Sequence, residues 1–405
     1  MIIHDRLNPI SSSSLTDKNN PLKVLSLMEK HMGHGTYGEL LRKGFQESTK
    51  IAVDFYWYHE QRQLDTKIIR RLLTPYFPNQ WIQKQNLDLR RFRAQISFAY
   101  MARKLALKLL KQQDYSVLHL HTYILGFLSL DLMEKIPTVV SLDMTSYQAA
   151  KEKTDPQFMW TYAPNLWLGK KVFQAAKRIV TRSQWGRQSV IKDYNIDPDK
   201  VKVVYPGVDI NKLTPPDLAQ KEAEKPFKIL FVGNDFDRKG GYDVLEVFLA
   251  NFAETAELHL MTNAAIECQH PNVFLHRGIS AYSKEWLELY RQAHVFVMPT
   301  IFEGFGWVFI EAMSAGLPVI ATNINAIPEM VQEGETGFLI QPGDRAALSA
   351  KLRILQDNPS LCRQMGAKGR EIVEQTFNVQ THCHTLANIF QEIAVAPNTK
   401  GIPTE

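Results

Sequence analysis

Two glutamates, Glu303 and Glu311, stand with seven residues between them in EGFGWVFIE, and the first is followed by Gly304 and Gly306. Glycines at the head of a helix leave backbone N–H groups and the positive end of the helix dipole open, a site that favours phosphate by roughly 0.3 to 2 kcal/mol. Carboxylates beside such a site would repel phosphate, so a functional pair there should accept hydrogen bonds from neutral hydroxyls, as on sugars. The competing reading is that both only complement a helix dipole. Arg238 and Lys239, in FVGNDFDRKGG, join a planar fork to a point charge and suit an anion; a surface pair on a turn is the alternative. Asp235-x-Asp237 would suggest a metal-binding DxD in another setting, but two adjacent cations weigh against it. No HExxH, CxxC or EF-hand pattern offers another metal site, and no metal is expected.

In the first half of the chain, His119 and His121 of LHLHT alternate along one apolar run and so share a face. Cleft lining and plain core both remain open for them, while a zinc pair lacks further ligands. Gly33, Gly35 and Gly38 of MGHGTYGELL follow the apolar run KVLSL, as a dinucleotide fingerprint would. Five residues separate Leu27 from Gly33, however, and the nearest acid in the next apolar run, Asp54, comes early and sits mid-run. The pattern specifies a strand, a glycine-rich loop and a helix start where backbone can approach a ligand, whether or not that ligand is NAD.

Elements that could position these residues recur along the chain. Short β-branched runs (KVLSL, KIAVDFYWY, SVLHLHT, PTVVSLD, RIVTRS, KVVYPG) alternate with helix-length amphipathic stretches, and FKILFVG, AELHLMT, NVFLHRG, HVFVMPT, GLPVIAT and TGFLIQP repeat the rhythm. Such alternation predicts parallel sheets wrapped by helices, an α/β class. With 405 residues, two domains are expected, joined by the polar stretch GVDINKLTPPDLAQKEAEKP. The predicted layout is a disordered tail 1–21, a first Rossmann-like domain 22–205, a linker 206–226 and a second domain 227–372. A C-terminal helix 373–395, with packing back on the first domain as one option, and a tail 396–405 complete it. Two doubly wound domains would place ligands in the cleft between them, beyond the carboxyl ends of the strands.

Composition narrows the class further. A 45% hydrophobic and 22% charged chain is ordinary for a soluble globular protein, and no apolar run approaches the roughly 18 residues of a membrane span. Three cysteines without CxxC spacing suit a reducing cytoplasm. The net charge of +5 is uneven: between Lys67 and Lys111 there are eleven Lys or Arg against one acid, Asp88. Lys104, Lys108 and Lys111 also fall at helical spacing, so this segment is either a solvated face or a contact with an anionic membrane surface. Nucleic acid is disfavoured, because no aromatic-interleaved basic patch or reading helix accompanies the charge. The expected location is cytoplasmic, with the cytoplasmic face of a membrane as the site of any peripheral contact.

EGFGWVFIE, followed by AMSAGLPVIAT and PEMVQEGETGFLIQPGD, resembles the donor-binding signature of the retaining nucleotide-sugar glycosyltransferases of family 4, which have the GT-B fold. The glycine-rich first loop, VVYPGVD and FVGNDFDRKGG fall in the family's order, so the likeness extends over most of the chain. The resemblance implies that Glu311 holds the donor ribose, that Glu303 contacts the transferred sugar, and that Arg238 and Lys239 hold the diphosphate. It further implies that Gly33, Gly35, Gly233, Gly304, Phe305 and Gly306 line the donor, with Gly38 toward the acceptor; His119 and His121 join the acceptor side if they line the cleft. Hexose transfer from a nucleoside diphosphate sugar to a hydroxyl acceptor, a glycan or lipid-linked precursor, with retention and without a metal, is the activity it implies.

The sequence departs from the family pattern at three places. Asp143, in VVSLDMT, stands where many members have a histidine, and could act as a base. Gly233-Asn234 replaces a common Gly-Arg, which leaves Arg238 and Lys239 carrying more of the anionic charge, and Asn325-Ala326-Ile327 replaces a twin glycine. Two other functional classes stay in view: an NAD-dependent oxidoreductase, resting on GHGTYG alone, and a non-catalytic sugar-nucleotide-binding or membrane-scaffolding protein.

Overall fold

A computed structural model describes residues 22–29, 34–46, 51–60, 64–75, 77, 79–215 and 226–394. The two tails, Gly33, and residues 216–225 of the expected linker lie outside the described residues. The first half forms β1 (Leu22–Met28), α1 (His34–Gln46), β2 (Ile51–Trp57), α2 (Leu64–Leu73), α3 (Gln80–Lys84) and α4 (Arg90–Leu110). It continues with β3 (Val117–Leu120), α5 (Leu130–Lys135), β4 (Thr138–Leu142), α6 (Ser146–Lys153), α7 (Ala163–Ala175), β5 (Arg178–Thr181), α8 (Gln184–Lys192) and β6 (Val201–Val203). All pairings in this sheet are parallel, in the order β2-β1-β3-β4-β5-β6. Its β3 and β4 are buried along their whole lengths, as the uninterrupted apolar runs require of strands covered on both faces.

The second half repeats the plan with β7 (Phe227–Val232), α9 (Gly241–Asn251), β8 (Ala256–Met261), β9 (Val273–His276), α10 (Lys284–Gln292) and β10 (Val295–Met298). After these come α11 (Trp307–Ser314), β11 (Val319–Thr322), β12 (Gly337–Ile340), α12 (Arg345–Asp357), α13 (Pro359–Thr376) and α14 (Val379–Ile393). The second sheet is also parallel, ordered β12-β11-β10-β7-β8-β9. The strand order reverses between β1 and β3 in one sheet and between β7 and β10 in the other. In open α/β sheets a crevice opens at such a point, outside the carboxyl ends of the strands.

The chain crosses back at Phe377 and Asn378, and α14 then buries Val379, Cys383, Leu386 and Phe390 with Val24, Leu41, Phe45 and Val180 of the first half. The outgoing and returning segments pair, Val208 N donating to Phe377 O (2.8 Å) and Val379 N to Val208 O (3.1 Å). Arg370 ties the outgoing segment to the end of α11, donating to the carbonyls of Ile210 (3.1 Å) and Ser314 (2.8 Å). Gly207 lies so close beneath this crossing that a Cβ would fall 2.2 Å from the Asn378 carbonyl carbon and 2.3 Å from Val379 N. Gly207→Ala should therefore force backbone apart and lower stability by about 1–3 kcal/mol. A urea midpoint equal to wild type would contradict this account of the crossing.

Among the described residues, at least five of the eleven basic residues in 67–111 have structural partners. Arg93 binds the carbonyls of Leu73, Pro75 and Asp88, Arg90 that of Thr74, Arg103 reaches Asp131, Lys104 pairs with Asp65, and Arg91 covers the Tyr162 ring. The Lys104, Lys108 and Lys111 stripe is thus broken, because Lys104 is spent tying α2 to α4 while the other two stand exposed. No helix among the described residues is long and apolar enough to cross a membrane.

Candidate functional site

Residues that follow β7 and β10 meet at the second switch point. Gly233 ends β7, and a Cβ there would fall 2.4 Å from Lys239 Cδ, so the glycine makes room for the lysine stem. The turn after it closes through Lys239 N to Asp235 O (3.0 Å) and Gly241 N to Phe236 O (2.7 Å). Gly240 takes φ +75°, and a Cβ on it would strike Pro299 O at 2.3 Å, so only glycine lets this turn lie against the loop after β10. That loop is bound in return: Ile301 N and Thr300 Oγ1 donate to Arg238 O at 2.9 and 3.1 Å.

Two cations are thereby fixed beside one carboxylate. Arg238 Nη1 lies 3.7 Å and Lys239 Nζ 3.6 Å from Glu303 Oε2, and Arg238 also binds Asp235 (2.7 Å) and the Phe302 carbonyl. Asp235 is therefore an ion-pair partner, and among the described residues no group of three His, Cys, Asp or Glu could hold a metal ion. Gly306 caps α11 with no side-chain bond, so no capping side chain covers the head of that helix, which follows Glu303 by four residues. Gly304 has no neighbour for a Cβ except Met144 Cβ at 3.7 Å, across the cleft. Phe305 points inward, its ring packing near Phe377 and Trp307, so only its backbone can meet a ligand.

Glu311 sits one turn into α11 and is 7% exposed. Its two oxygens accept from Tyr282 Oη (3.2 Å) and Tyr290 Oη (3.4 Å). Burial pushes its carboxyl up to about 7, against the opposing pull of the two phenols and Lys239. Such a group is poised to gain from further hydrogen-bond donors. Neither tyrosine carries a signal in the sequence, because both come from the segment around α10 and reach Glu311 only through the fold.

Across the cleft, the ends of β1, β3, β4 and β5 supply Glu29, His121, Asp143 and Arg182. Glu29 is buried, and its carboxyl is raised to about 7 by desolvation first and by Asp143 second, with Arg182 opposing. Arg182 donates to His121 Nε2 (2.6 Å) and lies 4.4 Å over the Tyr37 ring. Asp143 accepts from Met144 N (2.8 Å) at the point nearest Gly304. Tyr37 links the halves: its ring is 5.3 Å from Trp307 at the head of α11, and its hydroxyl meets His382 of α14 at 2.7 Å. His382 Nδ1 contacts the Tyr205 carbonyl (2.7 Å), which can only accept, so Nε2 accepts the Tyr37 proton. Glu329 closes the cleft from the other side, accepting from the N–H groups of Gln184 (2.6 Å) and Trp185 (2.8 Å) at the head of α8 and from Tyr205 Oη (2.9 Å).

The two histidines of LHLHT do share a face but differ in duty. His119 is buried between Ser26 (2.8 Å) and Ser141 (2.9 Å), with its basicity depressed to about 3 by burial, and belongs to the core. His121, at the strand end, belongs to the Arg182 cluster. Gly35 lies in the first turn of α1. Gly38 packs under Trp57 and Met28, where a Cβ would meet atoms at 3.1 and 3.2 Å, so close helix packing rather than the cleft accounts for it. Asp54 stands mid-strand and binds Tyr115 and Gln113, both at 2.8 Å, so it is spent away from the strand end where a ribose-binding acid would stand.

The family described as "Glycosyl transferases group 1" matches residues 217–372, and "Glycosyltransferase Family 4" matches residues 49–212. A capsular polysaccharide biosynthesis glycosyltransferase, CapM of Staphylococcus aureus, is 31% identical over 177 residues, 40% of this chain and 46% of the relative. The D-inositol 3-phosphate glycosyltransferase of Streptomyces scabiei is 28% identical over 245 residues, 54% of this chain and 55% of the relative. The chain thus spans about half the length of these curated relatives. Among solved structures, the sucrose-phosphate synthase of Thermosynechococcus elongatus superposes with TM-score 0.68 at 17% identity, over 92% of this chain and 98% of that one. Anabaena HepE in complex with UDP and glucose superposes with TM-score 0.63 at 16% identity, over 91% and 99%.

Proposed function

Because the chain belongs to the family 4 glycosyltransferases and has the GT-B fold, we propose that it moves a hexose from a nucleoside diphosphate sugar to a hydroxyl acceptor with retention of configuration. The observation that carries this reading is the convergence of Arg238 and Lys239 on Glu303, beside the open head of α11 and within reach of Glu311. The cations and helix N–H groups suit a diphosphate, while the carboxylates suit sugar and ribose hydroxyls. Solved structures of HepE with UDP, and with UDP and glucose, lend support to that class of donor.

In this reading Glu311 holds the ribose, Glu303 orients the transferred sugar, and Arg238 and Lys239 stabilise charge on the departing diphosphate without a metal. The leaving phosphate oxygen accepts the proton of the acceptor hydroxyl, so no protein nucleophile is needed. Acceptors are glycan or lipid-linked precursors, bound on the Glu29, Asp143 and Arg182 side at a cytoplasmic membrane face. Nothing in the fold or the relatives favours the oxidoreductase alternative.

The test is transfer from UDP-, GDP- and ADP-sugars in EDTA to a panel of glycan and lipid-linked acceptors, with the product anomer read by NMR. Retention in EDTA supports the proposal; an inverted product or an absolute metal requirement would overturn it. Should Asp143 be the base, Asp143→Asn would abolish turnover while donor affinity persists. Our account, in which the diphosphate takes the proton, expects Asp143→Asn to retain turnover within about tenfold, because general-base loss typically costs 10²–10⁴.

A further inference from the structure

Among the described residues, the six most exposed large apolar side chains of the first domain are Ile68 and Leu72 of α2, Phe77, Trp81 of α3, Trp160, and Trp167 of α7, at 48 to 69% exposure. They form one rim. Arg93 and Arg90 bind the end of α2 and the turn after it to the head of α4. Trp81 packs edge-on to Phe158, in the 3₁₀ helix Pro156–Tyr162 (5.7 Å), and Asn86 Nδ2 bonds Thr161 in the same helix (3.3 Å). Trp167 follows Trp160 by seven residues on the helix that continues from it, with Lys171 over its ring at 5.9 Å.

Among these rings and aliphatic chains lie Lys67, Arg70, Arg71 and Lys84, all exposed, and no acid occurs between Thr66 and Leu87. The rim also has a defined place. α4 feeds β3 and runs antiparallel to it, so the head of α4 lies at the carboxyl ends of the strands, the side on which the cleft opens.

We infer that this rim docks on an anionic lipid bilayer, with the tryptophans, Phe77, Leu72 and Ile68 entering the headgroup boundary and Lys67, Arg70, Arg71 and Lys84 meeting lipid phosphates. Amphipathic rings beside cations with long apolar stems match that boundary. A second copy of the chain fits less well, since an isologous contact would set the same cations against one another. The membrane contact then lies not at the Lys104 to Lys111 stripe but at the opposite end of α4, some 20 Å away at 1.5 Å per residue. It stands independently of the donor chemistry, and it would bring the acceptor side of the cleft to a lipid-borne hydroxyl.

The experiment is co-sedimentation of the full chain with vesicles of phosphatidylcholine alone or mixed with phosphatidylglycerol. Binding should appear with the mixed vesicles and weaken in salt. It should fall about tenfold or more in Leu72→Ser/Phe77→Ser/Trp81→Ser, and likewise in Arg70→Gln/Arg71→Gln. Lys108→Gln/Lys111→Gln should bind as wild type. Unaltered binding in the first two variants, or loss in the last alone, would overturn the assignment. So would a lower molar mass of the apolar variant in lipid-free light scattering, which would make the rim a protein interface. Melting midpoints with and without nucleoside diphosphate report whether each variant is folded and whether the donor reading fails separately.

Discussion

Replacing Lys239 with Met is expected to lower kcat by about 10²–10³-fold, with a smaller change in donor affinity, and Arg238→Gln should do the same. Removing one preorganised donor from a site where charge develops costs this much in other enzymes. Both cations are held in place by the structure rather than by the substrate: Gly233 accommodates the lysine stem, and the arginine is anchored by Asp235 and the Phe302 carbonyl. Because Asn234 stands where another cation would be expected and instead accepts from Asn263 N (2.9 Å), little nearby can compensate. Single-turnover transfer with saturating donor measures the effect. A loss confined to KM would mean that the two residues bind ground state and transition state alike.

Glu311→Gln should have two opposite effects. Folded Glu311 keeps its proton up to about pH 7, whereas its ordinary value is 4.5. Between these values the folded state binds more protons than the unfolded one, so stability falls as pH rises through the window. The Gln variant lacks this burden and should melt above wild type at pH 8, by an amount on the order of 3 kcal/mol, with the difference vanishing near pH 4. Nucleotide binding should move the other way. A ribose diol donates to the carboxylate, so wild-type affinity should weaken as pH falls below 7, while Glu311→Gln should bind at least tenfold more weakly at pH 8 with a flatter profile. A Gln variant that binds nucleoside diphosphate as well as wild type would remove Glu311 from the ribose site.

The fold class, and the cluster of Arg238, Lys239 and Glu303 at the head of α11, were legible because their signals are local. Parallel strands buried on both faces produce uninterrupted β-branched runs, and EGFGWVFIE is a single loop and helix head that needs no distant partner to be recognised. The opposite wall of the cleft was harder. Glu29 and Arg182 each follow a buried strand directly, and a charged residue in that position of a doubly wound sheet faces the cleft; applied to every strand, that rule would have found both. His382 reaches Tyr37 across 345 residues, and Tyr282 and Tyr290 gain their meaning only beside Glu311, so no spacing in the chain announces them. Gly38 misled for a related reason, since glycine serves close packing and ligand approach equally well. Within the basic segment, charge counts do not show which cations the fold consumes, and Arg90, Arg93, Arg103 and Lys104 are consumed.

Calorimetric titration of the purified chain with UDP, GDP, ADP and NADH, all in EDTA and beside Glu311→Ala, tests the central claim most directly. The account predicts saturable binding of one nucleoside diphosphate without metal, reduced at least tenfold in the variant, and no binding of NADH. Binding of NADH alone, or of no nucleoside diphosphate at all, would contradict it.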